Sequence, residues 1–287
     1  MQKLTEVDLR PYSTFRLQAK AKKVYVLEEE KDYSLLKEFK EAGEDYFLLA
    51  RGSNVLFAPK VKKNIVQIKR NGTIKIKTDN KDWVWIEVSA ETSLPRLLRF
   101  CLSFGFSGLE GLVGIPGSVG GAIAMNAGSF GYEMGKVLTE LMVWSLEGKV
   151  QLTLKDVRLG YRTFECNLDD YAILNVVLKL RKTGPQEVKA KLKKYYGQKK
   201  QTQPLTYPSV GCIFKNPLGK SAGKILDECG LKGVRKGDVV FSEKHANFLL
   251  NLGGGRSDDA LYLLKLAQEK VARRTGLSLE PEVKIVD

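Results

Sequence analysis

A glycine-rich stretch without a charged residue, residues 113–131, is the first candidate for chemistry in this chain. Its sequence is VGIPGSVGGAIAMNAGSFG, whereas 28% of the 287 residues are charged. Glycine lets the backbone approach a ligand closely, and successive N–H groups can form a concavity that binds an anion. Ser118 and Asn126 add a hydroxyl and an amide. The stretch therefore suits a pyrophosphate, although tight packing of a turn against a sheet would also explain so many glycines.

A second short stretch, residues 51–54, has the same components. Its sequence RGSN combines a cation, a flexible backbone position, a hydroxyl and an amide. It follows the apolar run YFLLA, which predicts a strand at the end of a small βαβ unit. Two such loops in one chain favour a phosphate-bearing ligand over simple turn packing.

The common nucleotide motifs are absent from the sequence. No Gly-x-Gly-x-x-Gly follows a predicted strand. Gly219, Lys220 and Ser221 resemble the end of a P-loop, but Phe214 occupies the position of its first glycine. Glycines recur every third residue from 105 to 120, which is the collagen period, but the run is far too short for a triple helix. The chain therefore carries neither a Rossmann nor a Walker motif.

The charge balance is strongly basic, with 47 Lys and Arg against 33 Asp and Glu and a formal net charge of +14. Such a field attracts phosphates, nucleotides or nucleic acid, and charge alone does not choose among them. No nucleic-acid-binding motif accompanies the lysines. We therefore interpret them as solvated surface and expect no nucleic-acid partner, with a basic nucleic-acid-binding protein as the alternative.

The cysteines and the apolar runs indicate the cellular setting. Four cysteines without a Cys-x-x-Cys pair predict free thiols and no metal site. No run reaches eighteen apolar residues, and the N-terminal residues lack the apolar core of a secretory signal. We therefore expect no membrane partner and a cytoplasmic location.

The elements predicted around the two loops are short strands mixed with helices. After the βαβ unit come three β-rich runs and a helix at about 93–104 whose apolar residues share one face. The glycine stretch, a hairpin that turns at 147–149 and the buried strand AILNVVLKL follow. Gly184 and Pro185 indicate a linker, and beyond it a helix opens at Ser257 and ends before Gly276.

Motifs along nearly the whole chain resemble, in the same order, those of the UDP-N-acetylenolpyruvoylglucosamine reductases (MurB-type), enzymes of peptidoglycan precursor synthesis. They are Ser13-Thr14-Phe15, Gly52-Ser53-Asn54, the loop 114–128, Tyr161-Arg162, Gln203-Pro204, GCIFKNP at 211–217, HANF at 245–248 and Glu282-Val283. The compact passage 180–204 leaves no room for the additional tyrosine-bearing loop of longer members. The chain therefore resembles the shorter subclass.

The resemblance implies an α+β fold, in which an FAD-binding two-subdomain fold of the vanillyl-alcohol-oxidase (PCMH) type is joined to a C-terminal α/β substrate-binding domain. We expect FAD-binding subdomains at 1–66 and 67–183 and a substrate-binding domain at 188–276. The final strand, within 277–287, is expected to pack back on the second subdomain. We also expect a monomer, and a non-covalent FAD because the only histidine, His245, lies outside the flavin loops.

The residues that the resemblance assigns to the cofactor lie in the two glycine-containing loops. They are Arg51, Gly52, Ser53, Asn54, Val55, Gly114, Ile115, Pro116, Gly117, Ser118, Gly120, Gly121, Ala122 and Asn126.

The implied reaction is a two-step reduction with FAD as cofactor and NADPH as hydride donor. Hydride from the reduced flavin reaches the enolpyruvyl group of a UDP-sugar and yields UDP-N-acetylmuramate. Arg162 and Glu282 resemble the family residues that stabilise the charge developing beside the substrate carboxylate. Without the resemblance, both would be interpreted as surface charges on strands.

Cys212 occupies the position of the family's usual serine, which donates the proton that completes the reduction. A thiol, with a reference pKa of about 8.5, is a better acid than an aliphatic hydroxyl. A lone cysteine is otherwise usually a small buried hydrophobe. We predict Arg162, Cys212 and Glu282 as the catalytic residues.

Residues near these positions are predicted to bind the UDP-sugar. They are Tyr161, Lys200, Lys215, Asn216 and Lys284. For Lys200, solvated surface is an equal interpretation. The alternative enzyme is an FAD-dependent oxidase of the same fold acting on another alcohol or sugar, which would not need Arg162, Cys212 and Glu282 together.

Overall fold

The computed structural model describes residues 1–69, 72–217 and 219–287. The helices are α1 (Ser34–Glu41), α2 (Leu94–Phe104), α3 (Val119–Ala124), α4 (Pro185–Thr202), α5 (Ala222–Glu228) and α6 (Ser257–Thr275). The strands are β1 (Gln2–Asp8), β2 (Lys20–Leu27), β3 (Tyr46–Leu49), β4 (Val55–Phe57), β5 (Lys60–Val61), β6 (Asn64–Ile68), β7 (Ile74–Asp79), β8 (Trp83–Ser89), β9 (Phe106–Ser107), β10 (Gly128–Ser129), β11 (Tyr132–Glu133), β12 (Leu138–Ser145), β13 (Gly148–Thr153), β14 (Val157–Gly160), β15 (Thr163–Cys166), β16 (Tyr171–Lys182), β17 (Arg235–Lys236), β18 (Val239–Phe241), β19 (Leu249–Asn251) and β20 (Lys284–Val286).

The described chain divides into two compact units. The first unit contains Met1, Val26–Gly43 and Gln67–Lys199. The second unit contains Gln2–Tyr25, Glu44–Val66 and Lys200–Asp287.

The first unit is built on a six-stranded antiparallel sheet of order β13-β12-β16-β8-β7, with β9 paired to the end of β16. The long strand β16 carries the apolar run that predicts a buried strand, and Val176 and Leu178 within it are fully buried. The core of this unit joins the buried faces of β8, β12 and β16 with α2. The sheet thereby supports the segments that follow α2, which include the glycine stretch.

Helix α2 begins and ends where the sequence predicts it. Ser93 caps its N-terminus by accepting a hydrogen bond from the amide of Arg96 at 3.4 Å. Gly105 ends it in a left-handed conformation, with φ of 71°. The apolar residues at helical spacing are buried, namely Leu94, Leu97, Leu98 and Cys101.

The β12–β13 hairpin turns earlier than the predicted position at 147–149. Ser145 pairs with Gly148, so Leu146 and Glu147 form the two-residue turn. The hydroxyl of Ser145 donates to the carbonyl of Gly148 at 3.0 Å and accepts from the amide of Glu147 at 3.3 Å. The serine side chain therefore stabilises the turn, and Gly148 follows it with φ of 117°.

The second unit contains a five-stranded sheet of order β1-β2-β6-β3, with β5 paired to β2, although the last two residues of β2 and of β6 are counted with the first unit. A separate antiparallel sheet has the order β17-β18-β19. Helices α5 and α6 line the core, where Leu226, Leu263 and Ala267 are fully buried. Helix α6 begins at Ser257 and ends before Gly276, as predicted.

The final strand differs from the prediction that 277–287 packs on 67–183. Strand β20 pairs in parallel with β4 of the second unit, with Lys284 opposite Val55. Burial explains the placement, because Val283 belongs to the hydrophobic core of that unit and Val286 is buried as well. The pairing joins the predicted loop 51–54 to the segment that carries Glu282.

The start of the C-terminal region also differs from the predicted border at 188. Most of α4 is counted with the first unit, as far as Lys199. Val188 is buried, and Leu192 packs against the first core. Residues 26–43 likewise belong to the first unit rather than to a segment 1–66.

The mixture of helices with mainly antiparallel sheets agrees with the α+β class expected from the sequence. Among the residues that the structure describes, no helix combines the length and the apolar composition needed to cross a membrane.

Candidate functional site

In the first unit, residues 113–118 of the glycine stretch form a loop between a short 3₁₀ helix, Glu110–Leu112, and α3, and the stretch continues through α3 to β10. Ser118 caps α3 by accepting a hydrogen bond from the amide of Gly121 at 3.3 Å. The amide of Val119 donates to Thr92 at 2.9 Å, and that of Gly120 donates to Ala90 at 2.8 Å. The loop is therefore anchored to the turn that connects β8 with α2.

Among the described residues, the glycines of the stretch differ in their surroundings, with close packing at one and unbonded backbone amides at others. A Cβ at Gly120 would lie 2.7 Å from the Cβ of Ala90, so this glycine is required for close packing. Within the described parts of the chain, the backbone amides of Gly114, Gly117 and Ser118 have no protein acceptor. Such amides are donors of the kind that an anionic group such as a diphosphate requires.

In the second unit, the loop 51–54 is held from two directions. Gly52 has φ of 61°, and a Cβ there would lie 1.9 Å from the carbonyl oxygen of Tyr12. Its own carbonyl accepts from the amide of Thr14 at 3.0 Å. On the other side, Asn54 Nδ2 donates to the carbonyl of Glu282 at 3.0 Å. The loop is thus fixed by the motif at 13–15 and by the segment before β20.

The predicted catalytic residues Cys212 and Glu282 lie on adjacent segments of the second unit. The amide of Glu282 donates to the carbonyl of Ile213 at 2.8 Å, and Phe214 forms a bridge with Pro281. Cys212 itself forms an antiparallel bridge with Phe248. Residues from two distant motifs are therefore brought together with Asn54.

Asn247 is a structural residue that sequence reasoning missed, although its motif was noted. Its side chain is buried, with Oδ1 accepting from the amide of Phe214 at 3.0 Å and Nδ2 donating to the carbonyl of Phe214 at 2.8 Å. These two hydrogen bonds pair with the backbone of Phe214 as a neighbouring strand would, and so hold the segment that follows Cys212. The signal was an asparagine inside an otherwise apolar run, HANFLL.

Arg162 occupies an unfavourable backbone conformation in the first unit. It lies in the two-residue turn between β14 and β15, which pair through Gly160 and Thr163. Its φ is 59°, and its Nη2 donates to the carbonyl of Gly128 at 3.3 Å. The guanidinium also lies 5.2 Å from the ring centroid of Tyr161. In the same unit the side chain of Asn126 bonds to Gly160, so the glycine stretch and the Arg162 turn are in contact.

The predicted substrate residues have different surroundings. Tyr161 is 51% exposed, and Lys284 is exposed on β20. Lys215 Nζ contacts Glu280 at 2.5 Å, and Asn216 Oδ1 accepts from the amide of Ala222 at 2.9 Å. Lys200 is exposed, and its carbonyl accepts from Lys244 Nζ.

Lys199, which the sequence did not indicate as a site residue, is buried, whereas its neighbour Lys200 is exposed. Only 2% of its surface is accessible, and a Cβ at Gly114 would lie 3.6 Å from its Cδ. Its Nζ is 5.7 Å from the ring centroid of Phe130. Helical spacing contained the signal, since Val188, Leu192, Tyr195 and Lys199 follow one face of α4.

Burial lowers the pKa of His245 from its usual value, and nearby Lys232 acts in the same direction. Its Nδ1 accepts a hydrogen bond from the amide of Asn247 at 3.2 Å, which requires a neutral ring nitrogen. The ring also packs edge-on against Phe248. These contacts give His245 a structural role beside the Cys212 segment.

Comparison with known proteins covers most of the chain. Residues 23–153 match the model of an FAD binding domain, and residues 203–286 match that of the C-terminal domain of UDP-N-acetylenolpyruvoylglucosamine reductase. The reductase of that name from Nitratidesulfovibrio vulgaris is 43% identical over 85% of this chain and 84% of its own length. That from Aquifex aeolicus is 36% identical over 90% and 86%.

A solved structure agrees along the full length. The crystal structure of the reductase from Thermus caldophilus matches with a TM-score of 0.82 and 32% identity, covering 100% of this chain and 98% of its own. The comparisons confirm the predicted fold, an FAD-binding region with a C-terminal domain of the reductase type. The chain therefore belongs to the UDP-N-acetylenolpyruvoylglucosamine reductase family.

Proposed function

We propose that this chain is an FAD-containing, NADPH-dependent reductase that converts UDP-N-acetylglucosamine enolpyruvate to UDP-N-acetylmuramate in peptidoglycan precursor synthesis. Membership of the reductase family and the FAD binding domain at 23–153 support the activity and the cofactor. The structural observation that carries the proposal is the placement of Cys212 and Glu282 on hydrogen-bonded segments. An oxidase of another alcohol would have no need of a proton donor beside a carboxylate.

The residues present fit FAD as a non-covalent cofactor. In the first unit, the available amides of Gly114, Gly117 and Ser118 suit its diphosphate. In the second unit, the rigidly held loop 51–55 supplies a further set of small polar groups. FAD held by these residues would supply hydride transfer from NADPH to the substrate. Further residues are proposed to give the loop its shape around FAD, namely Ile115, Pro116, Gly120, Gly121 and Ala122.

Arg162 is proposed to bind the carboxylate of the enolpyruvyl group. A two-residue turn with a positive φ at its second position favours glycine, and a non-glycine residue there costs about 1–2 kcal/mol. The chain nevertheless has an arginine at this position, with φ of 59°. Strain of this kind is concentrated at functional sites. A positioned cation stabilises charge that develops in the transition state by about 3–4 kcal/mol per donor.

Cys212 is proposed to protonate the carbon next to the carboxylate after hydride has reached the terminal carbon of the enol ether. The S–H bond breaks, the new C–H bond forms, and the thiolate remains until solvent reprotonates it. Glu282 lies on the adjacent segment, where its amide is bound to Ile213. Its proposed role is to stabilise the same centre by hydrogen bonding.

The proposed contacts of the UDP-sugar remain Tyr161, Lys200, Lys215, Asn216 and Lys284. Lys215 and Asn216 directly follow the Cys212 segment and are oriented by Glu280 and Ala222. Their cation and amide suit a diphosphate or the sugar hydroxyls. We further propose that residues within 1–66 and 67–183 bind FAD, that residues within 188–276 bind the substrate, and that the protein is a cytoplasmic monomer without a nucleic-acid partner.

An absorption spectrum tests the function directly. The purified protein is expected to be yellow, to lose the flavin absorbance when NADPH is added without oxygen, and to regain it with UDP-N-acetylglucosamine enolpyruvate. Arg162→Ala should still lose the flavin absorbance with NADPH but should not regain it with the enolpyruvyl nucleotide. Arg158→Ala, at an exposed position of the same hairpin, should show both changes. A wild-type protein that is colourless and acquires no flavin contradicts the proposal. A yellow protein that recovers only with oxygen and an alcohol supports the oxidase instead.

A further inference from the structure

We propose that Asn126 is a positioning residue for Arg162 and not a contact of the flavin. The inference rests on the proposed function, because it assigns Asn126 to the step in which Arg162 binds the substrate carboxylate. It also revises the role that the sequence predicts for Asn126. The argument depends on where the two ends of its side-chain amide are bound.

Asn126 occupies a conformation that few residues adopt. It follows the end of α3 with φ of 37°, and its backbone amide donates to Ile123 at 2.8 Å. Asparagine is one of the residues that enter the left-handed region most readily. Only 4% of the residue is accessible.

The buried amide of Asn126 connects two backbone segments. Nδ2 donates to the carbonyl of Gly160 at 2.9 Å, and Oδ1 accepts from the amide of Gly135 at 2.9 Å. A Cβ at Gly135 would lie 3.0 Å from Oδ1, so the contact is close on this side as well. Because both ends are bound to backbone and the residue is buried, little of the amide is accessible to a ligand.

Gly160 is the last residue before the Arg162 turn. It pairs with Thr163, and the pair encloses Tyr161 and Arg162. The guanidinium of Arg162 is in turn bound to the carbonyl of Gly128, two residues after Asn126. The backbone and the side chain of Arg162 are therefore both held by residues 126–128. Without the Asn126 donor, the carbonyl of Gly160 loses this hydrogen bond, and the backbone next to Arg162 is no longer held by it.

Asn126→Asp tests the inference, because it keeps the oxygen that accepts from Gly135 and replaces the donor to Gly160 with a carboxylate oxygen. We expect normal FAD content and a normal rate of flavin reduction by NADPH. Reoxidation by UDP-N-acetylglucosamine enolpyruvate should slow by about 10- to 100-fold, as expected for a small displacement of a binding group. Asn80→Asp is the matched control, because Asn80 Oδ1 only accepts from backbone amides in the β7–β8 turn. It should leave both half-reactions unchanged.

A double variant separates positioning from an independent role. If Asn126 acts through Arg162, Asn126→Asp should add no further loss to Arg162→Ala in the second half-reaction. Additive losses, or loss of FAD from Asn126→Asp, overturn the inference. If wild type fails to reduce the enolpyruvyl nucleotide, the proposed function fails instead.

Hydrogen exchange in the wild-type holoenzyme tests the inference without requiring that any variant folds. The amide of Gly135 should be protected, since it donates to Asn126 Oδ1. Exchange at the rate of an exposed amide would contradict the bridge on which the inference rests.

Discussion

The backbone amide of Glu282 donates to the carbonyl of Ile213 across 2.8 Å. This bond joins residues 69 positions apart and places the Glu282 segment next to the residue that follows Cys212. The carbonyl of Glu282 accepts from Asn54 Nδ2 on its other side. Glu282 therefore connects the proposed proton donor with a loop proposed to hold the cofactor, and substitutions at Cys212 test the arrangement.

Cys212→Ala removes the proposed proton donor with little change in volume. We expect NADPH to reduce the flavin at near the wild-type rate, while reoxidation by the enolpyruvyl nucleotide falls by about 100-fold or more, in the range of general acid catalysis. Cys212→Ser should retain substantial activity, because a hydroxyl can donate the same proton. Stopped-flow absorbance separates the two half-reactions. Normal reoxidation in the alanine variant would remove Cys212 from the mechanism.

Gly120→Ala introduces a methyl group where no space exists. Its Cβ would lie 2.7 Å from the Cβ of Ala90 and 3.3 Å from the carbonyl oxygen of the same residue. We expect a loss of about 1–3 kcal/mol in the free energy of unfolding, together with weaker FAD binding, because overpacking displaces the loop. Chemical denaturation and the flavin-to-protein absorbance ratio measure the two effects.

Gly197→Ala is the matched control for that substitution. Gly197 lies in α4, and a Cβ there would meet no atom within 4 Å. Alanine should stabilise the helix by about 1 kcal/mol and leave FAD binding unchanged. Equal effects of the two substitutions would show that the glycine loop is not closely packed on Ala90.

Lys199→Met tests the buried lysine beside Gly114. Methionine preserves much of the apolar stem and removes the ammonium group, so we expect the dissociation constant for FAD to rise by about tenfold, equivalent to about 1.4 kcal/mol. Lys193→Met, at an exposed position of the same helix, should have no effect. Flavin fluorescence titration of the apoprotein distinguishes the outcomes. If both variants bind FAD like wild type, Lys199 has no role in cofactor binding.

His245→Gln tests the pH dependence of stability. The folded-state pKa of His245 lies below its usual value of 6.5, so the unfolded chain binds a proton at a pH where the folded chain does not. Stability from this residue is therefore complete above about pH 6.5 and is lost as the pH falls towards the folded-state pKa. Between pH 7.5 and about 5, wild type should lose more in Tm than His245→Gln.

The chain contains a single histidine, so no other imidazole contributes to that comparison. Thermal unfolding followed by circular dichroism at several pH values gives the two slopes. Parallel curves for the two proteins would show that burial does not perturb His245.

Local features of the fold were predictable from the sequence because they depend on neighbouring residues. Helix α2 shows its apolar spacing, its serine cap and its terminal glycine within thirteen consecutive residues, Ser93 to Gly105. Helix α6 likewise shows buried residues on one face and a terminal glycine, Gly276, although no described side chain caps its N-terminus. The glycine stretch was also recognisable, since close backbone approach requires glycine, whereas the motif around Cys212 was recognisable only through its resemblance to the family.

Only the tertiary structure decided which of these residues meet. Contacts between separate segments are the pairing of β20 with β4 and the two side-chain hydrogen bonds of Asn126. The burial of Lys199 depends on which face of α4 packs against the rest of the unit. Composition contains no information on such contacts, because lysine and asparagine are usually exposed. The sequence by itself determined the kinds of groups available for binding and proton transfer, whereas long-range packing determined which ones bind backbone and which remain available for a ligand.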